Sequence, residues 1–113
     1  MTLLLNNKTF INCESTANGD VSHETIFHYK QNHLQIEATY SGGSIRVGHI
    51  VGVMITTNTF TMVYHHLNKM NELRIDQCHT TITITPNGKI KLIERWQWLN
   101  GDGSKGESLL LEI

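Results

Sequence analysis

The sequence predicts an all-β chain, an antiparallel up-and-down β-barrel of about eight strands, and two observations predict it. Turn-forming clusters recur at near-regular intervals along the 113 residues, and the segments between them alternate apolar and polar side chains. Gly, Asn, Asp and Pro supply the positive or preset φ that a tight turn needs, and alternation places one set of side chains on each face of a strand. The clusters are "NGD" at 18–20, "QNH" at 31–33, "SGG" at 41–43, "TTN" at 56–58, "NKMN" at 68–71, "PNG" at 86–88 and "NGDGSKG" at 100–106. In "TPNGK", Pro86 suits the second turn position and Gly88 the last.

Taken in order, strands are expected near 8–13, 23–31, 34–40, 44–55, 60–67, 73–84, 89–99 and 106–113. The third places Leu34, Ile36, Ala38 and Tyr40 on one face against Gln35, Glu37 and Thr39 on the other. The sixth contains "TTITIT" at 80–85, which alternates as cleanly. In the seventh, "KIKLIERWQW", Ile90, Leu92, Glu94, Trp96 and Trp98 share a side. Only residues 64–73 suggest a helical turn, and they carry no apolar i, i+4 stripe. Short connections make successive strands antiparallel neighbours. So many sequential strands in so short a chain must close on themselves to hide their edges and bury one face. The expectation is one barrel domain over residues 1–113, lipocalin-like in architecture, with a two-sheet sandwich as the alternative.

Composition narrows the function classes. The apolar fraction is 39%, the charged fraction 17%, and there is one proline, which argues against global disorder. Residues 1–56 carry three basic and four acidic groups and residues 57–113 six of each, so no basic stripe marks a nucleic-acid partner. No basic amphipathic helix suggests a membrane surface, and the apolar stretch "HIVGVMI" is too short to span a bilayer. Cys13 and Cys78 form no CxxC pair and are expected as free thiols. "MTLLLNNK" has no basic n-region before its leucines and too short an apolar run for a secretory leader, so a cytoplasmic setting is expected.

Few motifs carry chemistry. The run "ERWQWLNGDGSKGES" at 94–108 is glycine-rich, yet it lacks the GKS or GKT of a phosphate loop and leads into "GESLLLEI", which continues as strand. A glycine-permitted hairpin is expected there. The seven histidines show no i, i+2 pair for a strand-built metal site, and adjacent His65 and His66 must face opposite ways. No GxSxG elbow is present. The aromatic residues Phe27, Tyr29, Tyr40, Phe60, Tyr64, Trp96 and Trp98 suit either a packed core or the wall of a ligand pocket. Glu94 shares the register of Trp96 and Trp98; if that register faces inward, its carboxyl is buried and must be paired or shifted in pKa.

Several stretches together resemble a known family: "ETIFHYKQ" (24–31), "ATYSGG" (38–43), "GHIVG" (48–52), "NGKIKL" (87–92), "WQW" (96–98) and "GDGSKGES" (101–108). They are similar to small bacterial proteins commonly labelled "N-acetylglutamate synthase", over about residues 21–112. The match departs at 70–71, where "MN" replaces a turn glycine, and at 80–85, where "TTITIT" replaces a more variable segment with proline. The resemblance implies a bacterial cytoplasmic protein and carries no catalytic residue onto this chain. An acetyltransferase would bind the acetyl-CoA pyrophosphate on an Arg/Gln-x-x-Gly-x-Gly/Ala turn opening a helix. The nearest stretch, "RVGHIVG", has other glycine spacing and leads into strand.

The function expected first is therefore binding of a small, partly apolar ligand in the barrel lumen, lined by His28, Tyr40, His49, Tyr64, Glu94, Trp96 and Trp98. The alternatives are an enzyme pairing Glu94 with His28 or His49 at the barrel mouth, and a structural or oligomeric module with an outer apolar patch that includes Val63 and Ile93. No metal and no cofactor are expected; the expected partners are a small molecule and a second copy in a homodimer.

Overall fold

The computed structural model describes residues 4–17 and 19–113. The reading of the leader region therefore rests partly on residues 1–3, and that of the first turn partly on Asn18, which lie outside the described residues. Eight strands follow in chain order: β1 (Lys8–Ser15), β2 (Ile26–Asn32), β3 (Gln35–Gly42), β4 (Ile45–Met54), β5 (Thr59–Asn68), β6 (Leu73–Ile84), β7 (Ile90–Trp98) and β8 (Lys105–Glu112). Each pairs antiparallel with the next, and β1 pairs with β8, so the sheet is a closed barrel with no free edge. Residues 64–73 form no helical turn: they are the end of β5, a turn and the start of β6, in line with the strands expected at 60–67 and 73–84.

The alternation of the sequence becomes an inside and an outside. Along β7, Ile90, Leu92, Glu94, Trp96 and Trp98 are all buried, while Arg95 is exposed. The short turns sit where the sequence places them. Gly88 N–H donates to the Thr85 carbonyl at 2.9 Å, closing the turn over Pro86 and Asn87. At the β5–β6 turn Asn71 adopts φ 60°, the left-handed conformation that asparagine tolerates better than most residues. The replacement of a turn glycine thus leaves β6 in unbroken register with β5, from Leu67 opposite Leu73 to Thr59 opposite Thr81.

The lumen has two zones. Its lower part, toward the β2–β3, β4–β5 and β6–β7 turns, is filled by Leu5, Phe10, Ile36, Phe60, Leu92 and Leu110, all fully buried. Burying each such side chain is worth about 1.5–3 kcal/mol. The chain before β1 closes that end. Leu5 N–H donates to Gln31 Oε1 at 3.1 Å, and Gln31 N–H donates to Asn6 Oδ1 at 3.1 Å. The upper part contains the aromatic and polar side chains, beneath the long β1–β2 connection.

Candidate functional site

The upper lumen is built by inward positions of neighbouring strands in matched register. Asp76 on β6 lies opposite Trp98 on β7, Cys78 opposite Trp96, and Thr80 opposite Glu94. On β8, Gly106 faces Trp96 and Ser108 faces Glu94. Glycines make room for the rings. A Cβ at Gly48 would overlap the Tyr40 ring, and one at Gly106 would overlap the Trp96 indole. The rings then pack on one another: Phe27 stacks on Tyr40 with centroids 5.1 Å apart, and Trp96 lies 5.5 Å from Trp98. Trp96 Nε1–H donates to Ser108 Oγ at 2.9 Å, and the Arg74 guanidinium sits 4.0 Å above the Trp98 ring.

Two carboxyl groups are enclosed in this aromatic chamber. Glu94 is 4% exposed and Asp76 2%. Burial, helped by the nearby Asp76, pushes the Glu94 carboxyl up to about 8. Burial likewise pushes Asp76 up to about 7, against a hydrogen bond from the Tyr64 hydroxyl and the charge of Arg74, which lower it. Burial raises Tyr29, Tyr40, Tyr64 and the Cys78 thiol, and the Glu94 charge adds to each shift. Three oxygens in the lumen, Asn12 Oδ1, Asp76 Oδ1 and Glu94 Oε2, are buried without a hydrogen-bond partner. Leaving a buried polar atom unpaired costs about 1–3 kcal/mol, so a cluster of them is unusual in a finished core.

The β1–β2 connection covers the chamber. Asp20 Oδ2 accepts from His66 Nε2 at 2.8 Å and from Asn68 Nδ2 at 3.3 Å, and Ser44 Oγ–H donates to the Asp20 carbonyl at 2.8 Å. On the other side of the imidazole, Tyr40 OH lies 2.8 Å from Nδ1. Burial lowers the His66 pKa, the Asp20 hydrogen bond opposing it in part, so the ring is neutral. It donates from Nε2 to the carboxylate and accepts the tyrosine proton at Nδ1.

With this geometry established, the relationships of the chain can be set beside it. A family model described as an avidin-like protein matches residues 3–113. The chain belongs to the avidin-like family. No curated protein and no solved structure matches it. Nothing in these comparisons carries the N-acetylglutamate synthase label.

Five of the residues expected to line the lumen of this avidin-like barrel do face it: Tyr40, Tyr64, Glu94, Trp96 and Trp98. Two do not. His28 and His49 are exposed on the outer wall, His28 with Nδ1 3.4 Å from Thr9 Oγ1 and His49 with its ring 5.7 Å from that of His65. The reason is parity: His28 alternates with inward Phe27 and Tyr29, and His49 with inward Gly48 and Ile50. The sheet wall therefore separates both from Glu94, and the expected acid–base pair is not assembled. Glu94 sits in mid-barrel rather than at a mouth. The expected outward positions of Val63 and Ile93 are observed, with Val63 54% exposed and Ile93 half-buried.

Residues the sequence did not single out complete the site: Asn12, Asp20, His66 and Asp76. His66 shares parity with Phe60, Met62 and Tyr64, and Asp76 with Cys78 and Ile82, so both were findable by counting in twos. Asp20 arrives from a loop, where no period applies. The loop "NGDGSKG" is the expected β7–β8 hairpin; there Asp102 Oδ1 accepts from Ser104 N–H at 2.9 Å, which holds its carboxyl below the usual range. Open clefts lie elsewhere: one of about 510 Å³ on the outer wall beside Gln77, His79 and Arg95, and one of about 700 Å³ at the lower rim beside Leu34, Met54 and Ile55. Neither is lined by Glu94 or Asp76. Among the described residues no group of three His, Cys, Asp or Glu side chains is placed to hold a metal ion.

Proposed function

We propose that the protein binds a small, partly apolar molecule in the upper lumen, with the ligand's polar group against Glu94, Asp76 and Asn12. The observation that carries this reading is the set of three unpartnered buried oxygens inside an aromatic wall. A carboxyl that keeps its proton near neutrality, as Glu94 does, offers one donor and one acceptor. The complementary group therefore has both as well: an amide, a urea or a carboxylic acid. The flat rings of Trp96, Trp98 and Tyr40 suit an apolar body beside that group. The family points the same way, since avidin-like barrels bind small ligands such as biotin. The ligand reaches this chamber when the β1–β2 connection releases from His66. The setting that goes with this reading is a bacterial cytoplasm.

The test is titration with biotin and a panel of small amides, ureas and acids, followed by tryptophan fluorescence and thermal melting. A binder should quench the indole emission, raise the melting temperature and lose affinity at least tenfold in Glu94→Leu. A panel that moves neither signal at millimolar concentration would remove the reading, as would a binder indifferent to Glu94→Leu.

A further inference from the structure

One stretch of the barrel wall is closed by side chains instead of a ladder. β1 pairs with β8 as far as Ser15, yet with β2 only from Lys8 to Ile11, because β2 begins at Ile26. Residues 12–15, roughly 13 Å of strand, thus have no β-partner on that flank. A register shift between Asn12 and Glu14 bends β1 at the same place. The β1–β2 connection runs back along this flank and is fastened to it by two side chains. His23 Nε2–H donates to the Cys13 carbonyl at 3.1 Å, where a strand would have placed a backbone N–H. Ser15 Oγ–H donates to the Val21 carbonyl at 3.4 Å, and Ser15 Oγ accepts from Asn12 Nδ2 at 3.3 Å. Ser15 and His23 are exposed, so water competes for both fastenings.

Outside the seam lies a cleft of about 560 Å³, lined by Asn12, Glu14, Ser15, Val21, Ser22 and His23. Asn12 belongs to both compartments. It points inward in the parity of Phe10, is 1% exposed, and carries one of the unpartnered oxygens of the lumen. Val21 also lines the cleft and packs against the barrel core. Elsewhere the wall is a continuous backbone ladder; here a valine side chain lies between cleft and chamber.

We propose that this seam is a side entrance to the chamber and that Val21 is its plug, an inference that rests on the chamber being a binding site. Opening the wall at any other seam breaks backbone ladder bonds, whereas opening here exchanges two exposed side-chain hydrogen bonds for water and uncovers one valine. The residue next to the plug is Asp20, held at the rim by His66 and Asn68, so releasing that latch frees Val21 with it. The far end of the segment stays in place. Thr25 is fully buried, and its Oγ1 accepts from Ser22 N–H at 3.1 Å and donates to the Gly42 carbonyl at 3.2 Å. Residues 20–23 can therefore swing out while β2 keeps its register. Across the rim the way is blocked, since Arg74 covers the Trp98 ring at 4.0 Å and lies against Gly101.

Acrylamide, a small neutral amide, tests the route without any ligand, because it quenches an indole by reaching it. Both indoles of the chain, Trp96 and Trp98, lie in the chamber. Val21→Ala should raise the quenching constant at least twofold. Ile36→Val, a loss of bulk in the lower lumen, should leave it unchanged; an equal rise there would mean general loosening and overturn the plug. Ser15→Cys with Val21→Cys, in a Cys13→Ser background, places a thiol on each side of the seam. Oxidised to the cross-linked form, this variant should quench at least twofold less than the same protein after reduction. Equal quenching in the two forms would overturn the entrance. If mass spectrometry shows that the cross-link does not form, Ser15→Ala with His23→Ala removes both fastenings and should raise quenching at least twofold; no rise would overturn the proposal equally. The two readings fail separately. Quenching that follows the cross-link in a protein that binds none of the amides, ureas and acids leaves the entrance and removes the ligand. A binder whose association rate ignores the cross-link leaves the ligand and removes the entrance.

Discussion

The Asp20 carboxylate and the His66 imidazole, forty-six residues apart in sequence, meet at 2.8 Å and fasten the β1–β2 connection across the upper end of the barrel. Tyr40 OH holds the opposite ring nitrogen. Because the ring is neutral, the contact is a hydrogen bond to a carboxylate rather than a full ion pair. Asp20→Asn keeps an acceptor and should cost less than 1 kcal/mol or so, whereas Asp20→Ala strands His66 Nε2–H and should cost about 1–3 kcal/mol. Urea denaturation of both variants separates the two; equal losses would mean the ring is charged.

The same imidazole sets an acid limit. Its folded pKa lies below the unfolded value, so the stability it confers is present above about pH 6.5 and is lost as pH falls through the folded value. Hydrogen-exchange protection around Asp20 and Val21, taken relative to the intrinsic rate at each pH, should therefore be lost in acid before protection in β7 is. Simultaneous loss of protection along the whole chain would contradict a local latch.

The buried carboxyls act in the opposite direction. Glu94, raised to about 8, and Asp76, raised to about 7, hold protons in the folded state that the unfolded chain has released. Their contribution is complete below the unfolded values near pH 4 and declines as pH rises through 7 and 8. Global stability should fall over that upper range, and Glu94→Gln should flatten the fall and gain roughly 2 kcal/mol near pH 8. Guanidinium denaturation across a pH series measures it. A wild-type curve that rises toward pH 8 would show the carboxyl to be ionised and paired.

The barrel was legible because both of its signals are local: a turn residue every few positions and side chains alternating between. Ile90 to Trp98 shows how far that goes, since one parity placed Glu94 beside two tryptophans in the interior. The same rule fails where both parities are apolar. On β4 the outward Val47, Val51 and Val53 outweigh the inward Gly48 and Gly52, so apolar parity does not tell which way His49 points. Asp20 was invisible for another reason, as its partner is fixed by closure of the barrel rather than by any neighbour in sequence.

Asn71 offers a test of turn chemistry without touching the lumen. At φ 60° a β-branched side chain is strained, and glycine is not. Asn71→Gly should change stability by only a few tenths of a kcal/mol, whereas Asn71→Val should cost about 1–2 kcal/mol. Thermal melting distinguishes them, and equal melting temperatures would mean the turn adopts another conformation.

Gly106 and Trp96 form a matched pair across β7 and β8, and their fit governs the chamber. An alanine Cβ at 106 would overlap both the indole and Thr16 Oγ1. Trp96 is 4% exposed and bonded to Ser108, so it has little freedom to move aside. Gly106→Ala should cost about 1–3 kcal/mol through overpacking and shift the indole emission to the red. Trp96→Phe removes the clash together with the bond to Ser108, so the double variant should be less destabilised than the sum of the two single ones. Denaturation of the full cycle decides it: strict additivity would show that residue 106 and the indole do not share space.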